Sequence, residues 1–407
     1  MTTATLSAPT RPRTYTAVLI VLGMSHFLND LMQSLIPAAY PLLKESYALD
    51  FWQIGMITMT FQIAGSLLQP VIGFVTDKHP APYSPVVGMM FTLSGLVSLA
   101  FAHSYAVILV SVALIGIGSS IFHPEATRMA RYAAGGRQGL AQGIFQVGGQ
   151  AGGALGPVFA ALIIVPWGQP SLAWFAVTAL LAMALLGWIG SRQREIAAAF
   201  AAGRAASTAG GKAAVAHAPR TVLIGMVVLT LLMFSKNAYG ESFRSFYTFY
   251  LMDRFGLSIP SAQMMLFIFL LAAAAGALIG GMVGDRIGRY RVIWISVLGP
   301  LPLTLILPHV DLFWTGILTV MINLIMASAF ASILIYAMEL APNRIGLIGG
   351  LFYGLNFGLG GIAAAILGAL ADSYGVETVY QICAFLPLAG LLAWFLPKID
   401  DGRGVGG

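Results

Sequence analysis

An aspartate inside a long apolar run is the first residue of this sequence that could do chemistry. Asp30 lies well inside a stretch that begins near residue 16, about 22 Å along a helix rising about 1.5 Å per residue. A charge at that depth in hydrocarbon costs about 2.5–3.5 kcal/mol on insertion scales. A carboxylate there that can take a proton is a functional candidate, with a fixed ion pair as the structural alternative. His26, Asn29, Asp30, Gln33 and Pro37 follow helical spacing and can share one face. Lipid would penalise that face, so it is expected to line a cavity, with Asp30 and His26 as proton carriers and Asn29 and Gln33 as substrate contacts.

Two further polar groups interrupt apolar runs. His123, Glu125 and Arg128 flank Pro124, which is expected to kink its helix. Glu125 and Arg128 are three residues apart and can pair along the helix. Glu125 is a second proton-coupling candidate and His123 and Arg128 are substrate candidates; an inner-gate ion pair is the alternative. Lys236, Asn237 and Glu241 form the third group, with Tyr239 and Arg244 beside them. Lys236 is central in its run and could hold an anion; a salt bridge to Asp30 or Glu241 is the duller reading. Gln142, Gln146 and Gln150 form an i, i+4, i+8 row, and Tyr353 and Asn356 are the polar counterparts later in the chain. Gln146, Gln150, Tyr353 and Asn356 offer neutral hydrogen bonds to a substrate, or simply join helices.

The elements that must position these residues are membrane helices. The 407 residues are 58% hydrophobic and 9% charged, against roughly 25% charged in soluble proteins. A spanning helix needs about 20 apolar residues. Spans are expected near 16–42, 52–76, 84–102, 106–130, 139–165 and 171–190, then 221–250, 261–284, 291–308, 312–338, 346–371 and 376–396. This gives an all-α integral membrane protein: a tail at 1–15, a six-helix half at 16–190, a solvated linker at 191–220, a second half at 221–397 and a tail at 398–407. The apolar runs do not alternate as β-barrel strands would. The first span has no clear cleavage site after it and is expected to be retained. The lone Cys383 excludes an intramolecular disulfide.

Charge placement sets topology. Counted by alternate loops, 17 Lys and Arg fall on the side of the amino terminus and two, Lys44 and Arg254, on the other, while Lys236 and Arg244 lie within the seventh span. That bias puts both termini in the cytoplasm. The net charge of +6 therefore marks orientation, and no nucleic-acid partner is expected. The halves also repeat weakly. Gly73 and Asp77 recur as Gly281 and Asp285, and Arg137, Gly139, Leu140, Gly143 and Phe145 recur as Arg344, Gly346, Leu347, Gly350 and Phe352. Two similar halves around a midplane site are the architecture of secondary transporters that rock between two openings.

The motifs carry a resemblance. Gly281, Asp285, Arg286, Gly288 and Arg289 resemble the signature loop of the major facilitator superfamily, and Gly73, Asp77 and Lys78 are its first-half copy, with Pro80 in place of the second glycine. A carboxylate there can neutralise a neighbouring helix amino terminus and latch the cytoplasmic side. Gly143, Gly152, Gly156 and Pro157 resemble the antiporter motif of that superfamily's drug exporters, although Ala160 and Ala161 stand where its closing glycines would be. Close helix approach and a flexing backbone are the expected consequences.

Together with the run His26 to Asp30, the run Ser119 to Arg128, and Gly139 to Gln142 with Phe145 to Gly149, the chain resembles the fosmidomycin resistance protein family of bacterial exporters. The resemblance implies a twelve-helix major facilitator fold and proton-coupled export of fosmidomycin-like phosphonate antibiotics, hence antibiotic resistance. It also implies a monomer in the bacterial inner membrane whose partners are substrate, protons and lipid. A proton-coupled importer or facilitator of an organic anion is the alternative within transport. An intramembrane enzyme would need a nucleophile or metal constellation. No His-Glu-x-x-His, Gly-x-Ser-x-Gly or P-loop pattern is present, and no metal or organic cofactor is expected.

Overall fold

Hydrocarbon offers no partner to a bare peptide group, so a chain with these apolar runs must satisfy its backbone within helices. The computed structural model describes residues 14–79, 81–135, 137–207, 218–340 and 345–397, and contains no strand among them. The expected tail ends, Pro80 and the middle of the linker lie outside the described residues. Among the described residues eleven helices are long and apolar enough to cross a membrane, and Ser84–Ala100 is a shorter apolar helix. Its 17 residues sit at the short end of what spans a bilayer. The first six are α1 (Thr16–Ala38), α2 (Phe51–Lys78), α3 (Ser84–Ala100), α4 (Tyr105–Ala133), α5 (Gln138–Phe159) and α6 (Gln169–Gly190). The second six are α7 (Pro219–Phe255), α8 (Ile259–Ile287), α9 (Arg289–His309), α10 (Leu312–Leu340), α11 (Ile345–Tyr374) and α12 (Val376–Phe395).

The structure departs from the expected spans where local chemistry intervenes. α1 stops at Ala38, just past Pro37, and Tyr40–Tyr47 forms a separate short helix. α7 runs on to Phe255, where Gly256 (φ 64°) ends it in the left-handed conformation that glycine tolerates. The linker is not wholly solvated: Gln193–Ser207 is helical, its Ile196 is buried, and Phe200 packs on Tyr132 of α4. After Pro157, α5 passes into a π-helical turn at Ala160–Ile164; the proline lacks the amide hydrogen that regular helical bonding needs. Large apolar side chains such as Val177, Phe313 and Trp394 are exposed on the outside, which suits lipid rather than water.

Two helix pairs pack most extensively, α1 with α5 inside the first half and α2 with α11 between the halves. Both depend on glycine. A Cβ on Gly148 or Gly152 would overlap the carbonyl oxygens of Gly23 and Phe27, and one on Gly156 would overlap Ser34. Gly143 has open space instead, so the close approach falls on the three glycines further along. Between the halves, Gly55 meets the Ala364 carbonyl and Gly368 that of Phe51.

Hydrogen bonds reinforce the inter-half pair at the end where α1 finishes. The Asp372 carboxylate of α11 accepts from the amides of Phe51 (2.8 Å) and Trp52 (2.7 Å) at the start of α2. Asp50 caps the same helix in a capping box with Gln53. Two carboxylates thus meet unpaired amides and the positive end of the helix dipole. Gln263 of α8 donates to the Ala38 carbonyl at 2.8 Å.

Gly152→Ala is expected to destabilise the protein by about 1–3 kcal/mol through overpacking. Gly153→Ala, one position on with nothing within 4 Å of its new carbon, should be neutral or stabilising. Thermal unfolding of the two purified variants in detergent checks the contrast.

Candidate functional site

The α1–α5 contact builds the site around Asp30. Because Gly149 has no side chain, the His26 ring and the Asp30 carboxylate occupy the space its Cβ would fill, as close as 2.7 Å for Asp30 Oδ2. His26 Nδ1 meets the Phe145 carbonyl of α5 at 2.8 Å, and its ring stacks on Phe145 with centroids 4.0 Å apart. His26 Nε2 lies 3.2 Å from Asp30 Oδ2. Asn29 donates to Asp30 Oδ1 at 2.9 Å. His123 of α4 reaches the same carboxylate, Nε2 to Oδ1, at 3.9 Å. His123 Nδ1 sits 3.0 Å from the Ser119 carbonyl and 3.2 Å from the Ser119 hydroxyl. That hydroxyl lies 3.4 Å from Gln33 Oε1, one helical turn beyond Asn29.

Two polar atoms here are buried without a hydrogen-bond partner among the described residues, Asn29 Oδ1 and Gln33 Nε2. An acceptor and a donor close to Asp30 are therefore left for a ligand or water. His26, Asp30 and His123 place one ligand atom each within 4.8 Å of one another, a spacing that a small cation could also bridge. Phe357 approaches the site from the second half, edge-on to His123 at 6.0 Å.

Glu125 and Arg128 do not join this group. Their ion pair closes at 3.1 Å, and Arg128 donates to the carbonyls of Thr76 (3.0 Å) and Gly73 (3.2 Å) and to the Thr76 hydroxyl (2.8 Å). Arg128 thus ties α4 to the far end of α2, and Gly73 takes part through its backbone. Glu241 is 2% exposed and accepts from Gln62 of α2 (3.1 Å), Arg244 (3.3 Å) and Ser245 (2.9 Å). It lies on the seam between the halves. Asn237 is buried and Lys236 partly so on the same helix. Gln146 is partly buried and Gln150 exposed, on a face of α5 beside the one that meets α1. The side chains of Gln142, Tyr353 and Asn356 lie outside the described residues.

Comparison with known proteins decides the family. The Major Facilitator Superfamily model matches residues 22–365 and 237–405. The chain belongs to the Major Facilitator Superfamily. It is 54% identical over 393 residues to the fosmidomycin resistance protein of Escherichia coli (strain K12), covering 96% of this chain and 95% of that one. It is 41% identical over 385 residues to the uncharacterized MFS-type transporter YfnC of Bacillus subtilis (strain 168), covering 94% and 93%. Its fold resembles the crystal structure of the nucleoside transporter NupG, with a TM-score of 0.70 at 14% identity over 93% of this chain and 97% of that one.

The superfamily's signature loop explains one backbone feature. Gly288 has φ 91° and ψ 145°, a region open essentially to glycine alone, and it turns the chain from α8 into α9. Arg289 beside it pairs with Glu339 of α10. The surroundings of Gly281 and the side chains of Asp77, Lys78, Asp285 and Arg286 lie outside the described residues. Sequence reasoning missed Gly149, Phe357, Gln62 and Asp372 as contributors. Only Gly149 left a trace, as a second glycine beside Gly148 in a run already marked by resemblance.

Removing one member of a buried ion pair strands the other, which costs about 3–5 kcal/mol. Arg128→Ala is expected to lower the unfolding temperature strongly, and Glu125→Gln in the same chain to restore most of the loss. Equal damage in the single and double variants would mean the pair does not act as a unit.

Proposed function

We propose that this superfamily transporter is a proton-driven exporter of small toxic anions, fosmidomycin-like phosphonates foremost, working by alternating access of its two halves. The 54% identity to a fosmidomycin resistance protein supports the cargo. The contact that carries the proton reading is that of His26 with Asp30. A carbonyl oxygen only accepts, so the 2.8 Å approach of His26 Nδ1 to the Phe145 carbonyl puts the hydrogen on Nδ1. In the neutral ring Nε2 is then a lone pair, and it faces Asp30 Oδ2 at 3.2 Å. Two acceptors at that distance repel unless a proton lies between them. On this reading the pair holds a proton in the present conformation, and the opposite conformation offers it to the other side of the membrane.

The remaining roles follow from position. Asn29, Gln33 and His123 present hydrogen-bonding groups to the cargo, and Lys236 adds a cation. Glu125 with Arg128 steadies the inner end of the first half, and Glu241 holds the seam. The Lys and Arg bias supports cytoplasmic termini in a bacterial inner membrane, with the monomer as the working unit. Expelling a monoanion while admitting a proton moves two charges favourably, each worth about 2.3 kcal/mol per 100 mV.

Inside-out vesicles with an acidic interior should accumulate labelled fosmidomycin, and collapsing the gradient should abolish this. Asp30→Asn should lose gradient-driven accumulation yet still exchange labelled for unlabelled substrate. Full accumulation by Asp30→Asn would sink the proton assignment. Accumulation should also survive a metal chelator; its loss would put a metal ion in the proton's place.

A further inference from the structure

His26 and His123 are held in the same way, each by a backbone carbonyl on its far nitrogen. A carbonyl oxygen only accepts, so His26 Nδ1 donates to Phe145 at 2.8 Å and His123 Nδ1 to Ser119 at 3.0 Å. The Ser119 hydroxyl, which gives its hydrogen to Gln33, is a second acceptor 3.2 Å from His123 Nδ1. In both neutral rings Nε2 is then a lone pair, and both lone pairs face one carboxylate. His26 Nε2 lies 3.2 Å from Asp30 Oδ2 and His123 Nε2 lies 3.9 Å from Asp30 Oδ1. A proton bridges two atoms at a time and answers only one of these contacts. A metal ion with several coordination positions answers both, and a carbonyl on the other ring nitrogen is the usual means of aiming an imidazole at one.

Spacing and access agree with this. The three ligand atoms lie within 4.8 Å of one another. In a tetrahedral zinc site, with bonds of about 2.0–2.1 Å, ligand atoms stand about 3.3 Å apart. The His26–Asp30 pair already has that spacing, and His123 closes the remaining gap by side-chain rotation. The Asp30 side chain is 26% accessible and that of His123 14%. Both are flanked by α4, α5 and Phe357 of the second half, so the opening is on the interior and not toward lipid. The Asn29 amide that donates to Asp30 is fully buried, and its oxygen has no partner among the described residues. A fourth, neutral oxygen ligand is thus at hand.

We propose that His26, Asp30 and His123 form a binding site for a divalent transition cation of the zinc class, with Asn29 Oδ1 or water in the fourth position. Two imidazoles and a carboxylate suit such an ion, whereas magnesium favours oxygen ligands. The ion enters in exchange for the proton, so it competes with coupling rather than serving it, and export needs no metal. The exchange rests on the proton reading of the His26–Asp30 pair; the metal site itself does not. No metal motif shows in the sequence because the third ligand arrives from another helix. All three ligands belong to the first half, so a bound ion does not bridge the seam.

Isothermal titration of zinc into the purified full-length chain in detergent tests this. The protein carries no polyhistidine tag and has His79→Gln, His103→Gln, His217→Gln and His309→Gln, which removes every other histidine. One zinc ion per chain is expected, with no uptake of magnesium. Asp30→Asn and His123→Leu should each weaken zinc binding at least tenfold. Copper in place of zinc should give an electron paramagnetic resonance spectrum split by two imidazole nitrogens, a readout that needs no variant of the ligands to fold. Absence of zinc binding, a copper spectrum without nitrogen splitting, or unchanged affinity in folded His123→Leu overturns the site. Titrations in two buffers of different ionisation enthalpy count the protons released on binding. Release of one proton per ion supports the exchange. Zinc binding without release keeps the site and overturns the exchange.

Discussion

The contact of α5 glycines with the backbone of α1 is the constraint on which the rest of the first half depends. In a bilayer the lipid tails are as apolar as leucine, so helices associate through close van der Waals contact and hydrogen bonds rather than by expelling water. Gly148, Gly152 and Gly156 let α5 rest on the α1 backbone. That approach carries the Phe145 carbonyl to His26 and clears the space under Gly149 that His26 and Asp30 fill. A wider spacing would take the Phe145 carbonyl and ring away from the imidazole.

The seam between the halves is built differently. Glycine meets backbone there too, at Gly55 and Gly368, but where the first half adds a buried ion pair, Asp372, Gln263 and Gln62 with Glu241 cross the seam by hydrogen bonds. Each such bond contributes only about 0.5–1.5 kcal/mol net, or about 1.5–3 kcal/mol where a carboxylate accepts, because water can replace it. Halves joined in this way can part and be solvated without losing their own packing. A rigid half and an exchangeable seam are the mechanical requirements of alternating access.

Polar residues in the two halves are likewise divided. The first half collects His26, Asp30 and His123 around one carboxylate, while α7 of the second carries Lys236, Glu241 and Arg244. Gln62 touches Glu241 across the seam and Phe357 touches the His123 ring in the opposite sense. Any relative movement of the halves therefore changes the surroundings of both groups together.

Much of this was written into the sequence, because a bilayer imposes one-dimensional rules. Apolar length fixed the number of spans, the Lys and Arg bias suggested orientation, and a lone aspartate in an apolar run marked itself by its cost. The glycine spacing in α5 announced a close approach, though not that Gly143 would stand clear of it. The linker helix escaped notice because a short helix rich in alanine differs little in composition from a solvated segment. What only the tertiary structure decided is which polar groups meet. Helical periodicity can put His26 and Asp30 on one face, but His123 reaching that carboxylate, Arg128 turning instead to Thr76 and Gly73, and Asp372 capping Phe51 and Trp52 depend on how separate helices are rotated and stacked. Those contacts join residues far apart in the chain, and their geometry is set by side-chain packing in three dimensions, on which the spacing of residues along a single helix has no hold.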